Sequence, residues 1–121
     1  MNAKFTKHSK ADSPVLDRKW TEIHAFLPDG DVWLLPGEAK AIASGLKLTI
    51  PNDLVGMLCT HHPSDTWYSE VIPGQLWDCM TTEFNVVVRN NGKERICIKH
   101  GDPIARLVML GYYPIKWKEE V

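Results

Sequence analysis

Cysteine is scarce in this chain: three residues in 121, an odd number at spacings that make no disulfide framework. That excludes a stapled secreted mini-domain and fits reduced thiols in a cytoplasm. An excess of one charge is missing too. Fourteen Lys and Arg stand against fifteen Asp and Glu, a net of −1. Bulk electrostatics therefore makes no case for nucleic acid or an anionic membrane surface. No apolar run approaches the ~20 residues of a membrane helix, and the opening MNAKFTKHSKADSPV has no apolar signal-peptide core. Internal repeats and low-complexity tracts are absent. So is sustained helical periodicity; only GEAKAIASG could wind two helical turns.

What is present is a period of two, broken often. A chain of this length makes one domain and buries roughly 65% of its unfolded surface, enough for a core without staples. Residues 1–20 are polar and locally basic, which suggests a frayed tail or an arm that docks on a partner; the β domain is expected over 21–121. In TEIHAFL, Ile23, Ala25 and Leu27 share a face; in GLKLTIP, Leu46, Leu48 and Ile50 alternate with Lys47 and Thr49. LVGMLCT reads as a strand covered on both faces. EFNVVVRNNGKERICIKHG reads as a hairpin, with Asn90, Asn91 and Gly92 as the turn. Turn signals every eight to twelve residues predict an all-β sandwich or barrel.

Residues 96–110, ICIKHGDPIARLVML, break an apolar strand with a Gly-Asp-Pro corner. Gly101 allows a bend that a Cβ would obstruct, Asp102 can accept backbone N–H groups, and Pro103 fixes φ. The order SGLKLTIPNDLVGML, a loop, then FNVVVRNNGKERICIKHGDPIARLVML resembles the dUTPase and dCTP deaminase superfamily. The likeness rests on Ser44-Gly45-Leu46 through Pro51, and on Asn90, Gly92, Ile96, Ile98, Gly101, Asp102, Ile104, Ala105 and Leu107. LLPGE at residues 34–38 adds to it, and Arg106 stands where the family usually has glutamine. The match covers about residues 31–112. It implies a dUTPase-like β-clip, a distorted jelly-roll barrel in a single domain. It also implies a homotrimer with nucleotide sites at the subunit interfaces, the corner walling the site and Arg106 facing a cavity or a neighbour.

The family's hydrolytic chemistry uses five short motifs and a Mg²⁺-bound nucleotide. The first, of Ala-Gly-x-Asp-Leu type, is absent from WTEIHAFLPDGDVW. Of the second, a phosphate-binding Arg-Ser segment, CTHHPSDTW keeps only Ser64. Aligning the third on LWDCMTTE puts Trp77 at the water-activating aspartate, Met80 at the base-stacking tyrosine and Thr82 at the glycine. Only Glu83 matches, and Asp78 sits one residue off, on the opposite face of a strand. GYYPIKWKEEV leaves no room for the glycine-rich fifth motif, and a deaminase glutamate would be needed near Val87, where no acid stands. The resemblance thus implies the scaffold, with the fourth motif kept, more than the activity.

Two further groups stand out. Cys59, His61 and His62 cluster, with Cys79, Cys97, His24 or His100 as a possible fourth ligand, but no CxxC or HxxxH spacing supports a metal, and none is expected. Trp67, Tyr68 and Trp77 lie in the stretch 61–80 that replaces the active-site loop; they are core residues or exposed anchors for a protein partner or nucleotide. Two functions follow. One is a non-catalytic homotrimeric binding or structural module, cytoplasmic or virion-associated: a regulatory subunit, a nucleotide sensor or a phage accessory such as a capsid-decorating trimer, the last by fold analogy. The other is a rearranged nucleoside triphosphate pyrophosphatase with Asp78 or Glu83 as base and Mg²⁺ on the phosphates.

Overall fold

Alternation along Ala39–Thr49 shows why the chain is built from strands. Ile42, Ser44, Leu46 and Leu48 are buried, while Ala41, Lys47 and Thr49 are exposed. Ala and Lys favour a helix by at most ~0.7 kcal/mol per residue, whereas each buried Ile or Leu contributes about 1.5–3 kcal/mol. Burial wins, and GEAKAIASG, the one candidate helix, is mostly strand. The computed structural model describes residues 3–17, 20–51, 53–60, 67–72, 76–77, 83–111 and 113–120. Among them there are eleven strands and no helix: β1 Lys4–Lys7, β2 Val15–Asp17, β3 Trp20–His24, β4 Val32–Leu34, β5 Ala39–Thr49, β6 Leu54–Thr60, β7 Trp67–Ile72, β8 Leu76–Trp77, β9 Glu83–Asn90, β10 Ile96–Ile98 and β11 Pro103–Gly111.

The strands form two main antiparallel sheets, β1-β5-β9-β7 and β2-β3-β11-β6-β8, plus the pair β4-β10. Between the sheets lies one core. Ile23 and Ala25, Ile42, Leu46 and Leu48, Leu58, Phe84, Val86 and Val88, and Ile104, Ala105 and Leu107 meet there. Ile23 and Ala25 are fully buried and Leu27 packs against them, so TEIHAFL presents one face to the core. Phe84, Val86 and Val88 are covered within the chain itself, so their apolar face is no argument for a trimer.

Two sequence expectations change. EFNVVV and ICI are strands but not a hairpin: β9 pairs with β5 and β7, and β10 pairs with β4. The segment between them turns on a side chain instead. Fully buried Asn90 donates from Nδ2 to the carbonyls of Leu34 (3.0 Å) and Glu94 (2.8 Å), and its Oδ1 accepts from the Gly92 amide (2.9 Å). Its own amide and carbonyl bond Glu38 and Gly37 in the turn before β5. A hairpin would leave those groups of β4 and its turn unsatisfied. The polar segment 1–20 also carries structure: β1 pairs with β5 and β2 with β3, each at the edge of a sheet.

The Gly-Asp-Pro corner is a hydrogen-bonded turn. The Asp102 amide donates to the Lys99 carbonyl (3.0 Å), and Gly101, at φ +86°, takes the position that needs left-handed backbone. Asp102 Oδ2 accepts from the Lys99 amide at 2.8 Å. Ala25 locks the turn from β3's end, accepting from the Gly101 amide and donating to the Asp102 carbonyl. Beyond Pro103 the β11–β3 register shifts by a bulge.

Candidate functional site

Of the carboxylates the sequence singles out, Glu83 is the one whose surroundings are described. It opens β9, next to Lys47 on β5, which in turn faces Thr6 on β1. At this end of the sheet the β5–β9 register breaks between Ala43 and Lys47, and Gly45 holds φ +68°. A Cβ on Gly45 would lie 2.8 Å from Ala11 Cβ and 2.9 Å from the Phe26 ring, so the N-terminal loop and Phe26 pack directly on bare backbone. The result is a cleft of about 230 Å³ lined by Thr6, Lys7, His8, Gly45, Lys47 and Glu83.

Within the cleft Glu83 Oε1 lies 3.3 Å from His8 Nε2. The His8 ring stacks on Phe26 at 5.0 Å and 10°, and His100 meets the other side of Phe26 edge-on. His100 Nδ1 accepts from the Leu27 amide at 2.9 Å, which leaves its proton on Nε2. Lys7 Nζ turns back to the Ala11 carbonyl (3.1 Å). One ammonium, Lys47, one hydroxyl, Thr6, and a histidine–carboxylate pair can hold a small polar group. Among the described residues Glu83 is the one carboxylate in the cleft lining.

The remaining site residues are spread over other elements. Trp67 and Tyr68 lie on β7, at the edge of Glu83's sheet, in register with Asn90 and Arg89. Trp77 is on β8, at the edge of the other sheet, opposite Gly56 of β6. Ser64 and Asp78, like His61, His62, Cys79 and Met80, lie outside the described residues. Arg106 sits on β11 opposite Glu22 of β3 and Cys59 of β6. Its guanidinium lies 4.4 Å over the Trp20 ring, while Arg106 Nε and Trp20 Nε1 are buried without a hydrogen-bond partner among the described residues. β6 is the common neighbour: it pairs with β8 and β11, and β7 runs beside it. The described parts of the divergent stretch thus fall on both sheets, β7 beside Glu83's strand β9 and β8 beside β6.

Sequence reasoning missed Thr6, Lys7 and His8, because KFTK is too short to show a strand period, and it missed Lys47, read only as an outward residue. It also missed a second polar cluster. His24 Nδ1 lies 2.8 Å from Asp12 and Nε2 2.7 Å from Glu22; the Glu22-x-His24 spacing on a strand was a legible half of that contact. Cys97 donates weakly to Asp31 (3.7 Å); partial burial and then the Asp31 carboxylate push its thiol pKa up, away from nucleophilic use. Among the described residues no three histidines, cysteines or acids come together to hold a metal. Nor is any helix among them long and apolar enough to cross a membrane.

No protein-family model matches the sequence. Solved structures of phage dUTPases do match the fold. The dUTPase of S. aureus phage phi11 superposes with a TM-score of 0.80 at 16% identity, over 99% of this chain and 96% of that one. That of Staphylococcus bacteriophage 80alpha gives 0.79 at 16%, over 98% and 96%. A mutant of the phi11 protein, described as coordinating a structural Mg(II) ion, gives 0.79 at 17%, over 99% and 97%. The chain is an all-β protein of dUTPase-like fold. The resemblance read from SGLKLTIP and GDPIARL is one of architecture along nearly the whole chain.

Proposed function

We propose that this chain is a binding or regulatory module on a dUTPase-like scaffold, assembled as a homotrimer and without pyrophosphatase activity. The observation that carries the reading is Glu83: the one third-motif acid retained in place pairs with His8 instead of standing free. Trp77, at the aspartate position, is on a strand of the other sheet. A regulatory role has a precedent in the fold, since the 80alpha dUTPase is described as controlling transfer of virulence genes by a G protein-like mechanism. The partner surface is the 61–80 stretch, with Trp67, Tyr68 and Trp77 as anchors and Arg106 on the adjoining strand. The competing reading, a Mg²⁺-dependent pyrophosphatase using Asp78 or Glu83 as base, has the neighbours' own activity in its favour.

Pyrophosphate release from a panel of deoxynucleoside triphosphates with Mg²⁺ separates the two. The expected result is no turnover on any substrate. Turnover that an Asp78→Asn, Glu83→Gln double variant abolishes would establish the enzyme. Trp67→Ala and Trp77→Ala are expected to weaken partner capture while the fold survives; partners bound as before would remove the 61–80 surface from the account.

A further inference from the structure

Residues 3–17 form a strap across the open side of the sandwich. β1 adds to the edge of one sheet, β2 adds to the edge of the other, and the loop between them crosses the gap. That loop is tied down at a few points. The His8 amide donates to the Gly45 carbonyl (3.0 Å), Ala11 is buried over Gly45, and Asp12 reaches His24. Behind the strap lies an apolar slot of about 170 Å³ between Phe5, Leu16, Leu48, Leu107 and Met109.

The contact at His24 has an unusual requirement. Both ring nitrogens face carboxylate oxygens, Asp12 at 2.8 Å and Glu22 at 2.7 Å. A carboxylate only accepts, so both nitrogens must donate, and only the imidazolium has two N–H groups. A neutral ring would turn a lone pair onto one carboxylate. Glu22 is two residues away on the same strand and stays beside the ring; Asp12 is on the loop and can leave. We propose that His24 is a charged clasp for the N-terminal strap, and that its deprotonation releases the strap at Asp12 and opens the apolar slot.

The surrounding charges support the clasp. From β3 and the loop His24 faces Glu22 and Asp12 themselves. From β11 Pro103 stands opposite it, and Arg106 stands opposite Glu22. The corner brings Gly101 against Asp12, its hypothetical Cβ 3.4 Å from Oδ2, with Lys99 and Asp102 bonded to each other through backbone and carboxylate. Asp12 and Glu22 thus act on the ring directly. Burial pulls the His24 pKa down, but the hydrogen bonds and charges of Asp12 and Glu22 outweigh it, and the net shift is upward from 6.5. A raised histidine pKa gives stability that is complete below the unfolded value and lost as pH rises through the folded one. The strap is therefore fastened below the unfolded value and loosened as pH rises through the raised folded one.

The test is hydrogen exchange on the full chain, corrected for the intrinsic pH dependence, together with NMR titration of the His24 ring. Protection of the His8 and Ala11 amides is expected to fall roughly tenfold or more between about pH 6 and about pH 9, with the midpoint at the His24 titration. Asp12→Asn is expected to leave protection low and flat across that range while the β5 and β9 amides stay protected. The proposal is overturned if wild-type strap protection does not follow the His24 titration, or if the ring titrates at or below 6.5. Protection in Asp12→Asn that still tracks pH as in the wild type would overturn it too. Since Glu83 and the 61–80 stretch play no part in the readout, the outcome is independent of whether the scaffold hydrolyses nucleotides.

Discussion

Asn90 shows how much one polar side chain can hold when its partners are backbone groups. Its amide satisfies Leu34, Glu94 and Gly92 from a position with no solvent access. Removing it deletes three hydrogen bonds of about 1 kcal/mol each and strands a buried carbonyl at Leu34. Asn90→Ala is expected to cost on the order of 3 kcal/mol or more in urea unfolding; a loss under about 1 kcal/mol would mean that water replaces the side chain. Asn90 was visible in the sequence as a turn residue and as a match to the family pattern. Its role was not, because the carbonyl at Leu34 lies 56 positions away, and no local rule reports a partner at that distance. The same limit hid half of the His24 clasp: Glu22 could be read from strand spacing, Asp12 could not.

At the scale of elements, β5 is the informative case. Its helix-favouring start, AKAIAS, becomes strand because β9 is there to pair with Ala39–Ala43 and Ile42 has a core to enter. Ile42→Ala is expected to cost about 2–5 kcal/mol, and Ala41→Lys, one residue along and exposed, to stay within about 0.5 kcal/mol. Equal effects at the two positions, measured by chemical unfolding, would contradict the strand's facing. Strand existence was legible almost everywhere that inward residues alternate, as in TEIHAFL and GLKLTIP. Partner choice was not: NNG between two β-branched runs carries the chemistry of a hairpin, yet Gly37 and Glu38 claim the Asn90 backbone and β4 claims β10. The Gly-Asp-Pro corner was readable because its geometry is local, closed within Lys99–Asp102 and tied to one outside residue, Ala25.

For the whole molecule, the homotrimer implied by the family resemblance predicts a mass three times that of the chain by light scattering at micromolar concentration; a monomer would end that part of the proposal. The buried donors Arg106 Nε and Trp20 Nε1 sit together and have no partner among the described residues. The pairing of the sheets has a kinetic consequence as well. β3 near the start joins β11 near the end, with Trp20 opposite Val108, and β5 joins β9, with Ala39 opposite Arg89. Neither sheet can close until most of the chain is present, so refolding belongs to the milliseconds-to-seconds range of all-β topologies. During synthesis the strap is made before its platform and can fasten only afterwards, because the ground under Asp12, with His24 and Gly101, is complete only when the ribosome has passed the corner. For that interval Phe5 and Leu16 have nothing to cover, and a nascent chain of this kind depends on how quickly β11 follows to stay clear of its neighbours.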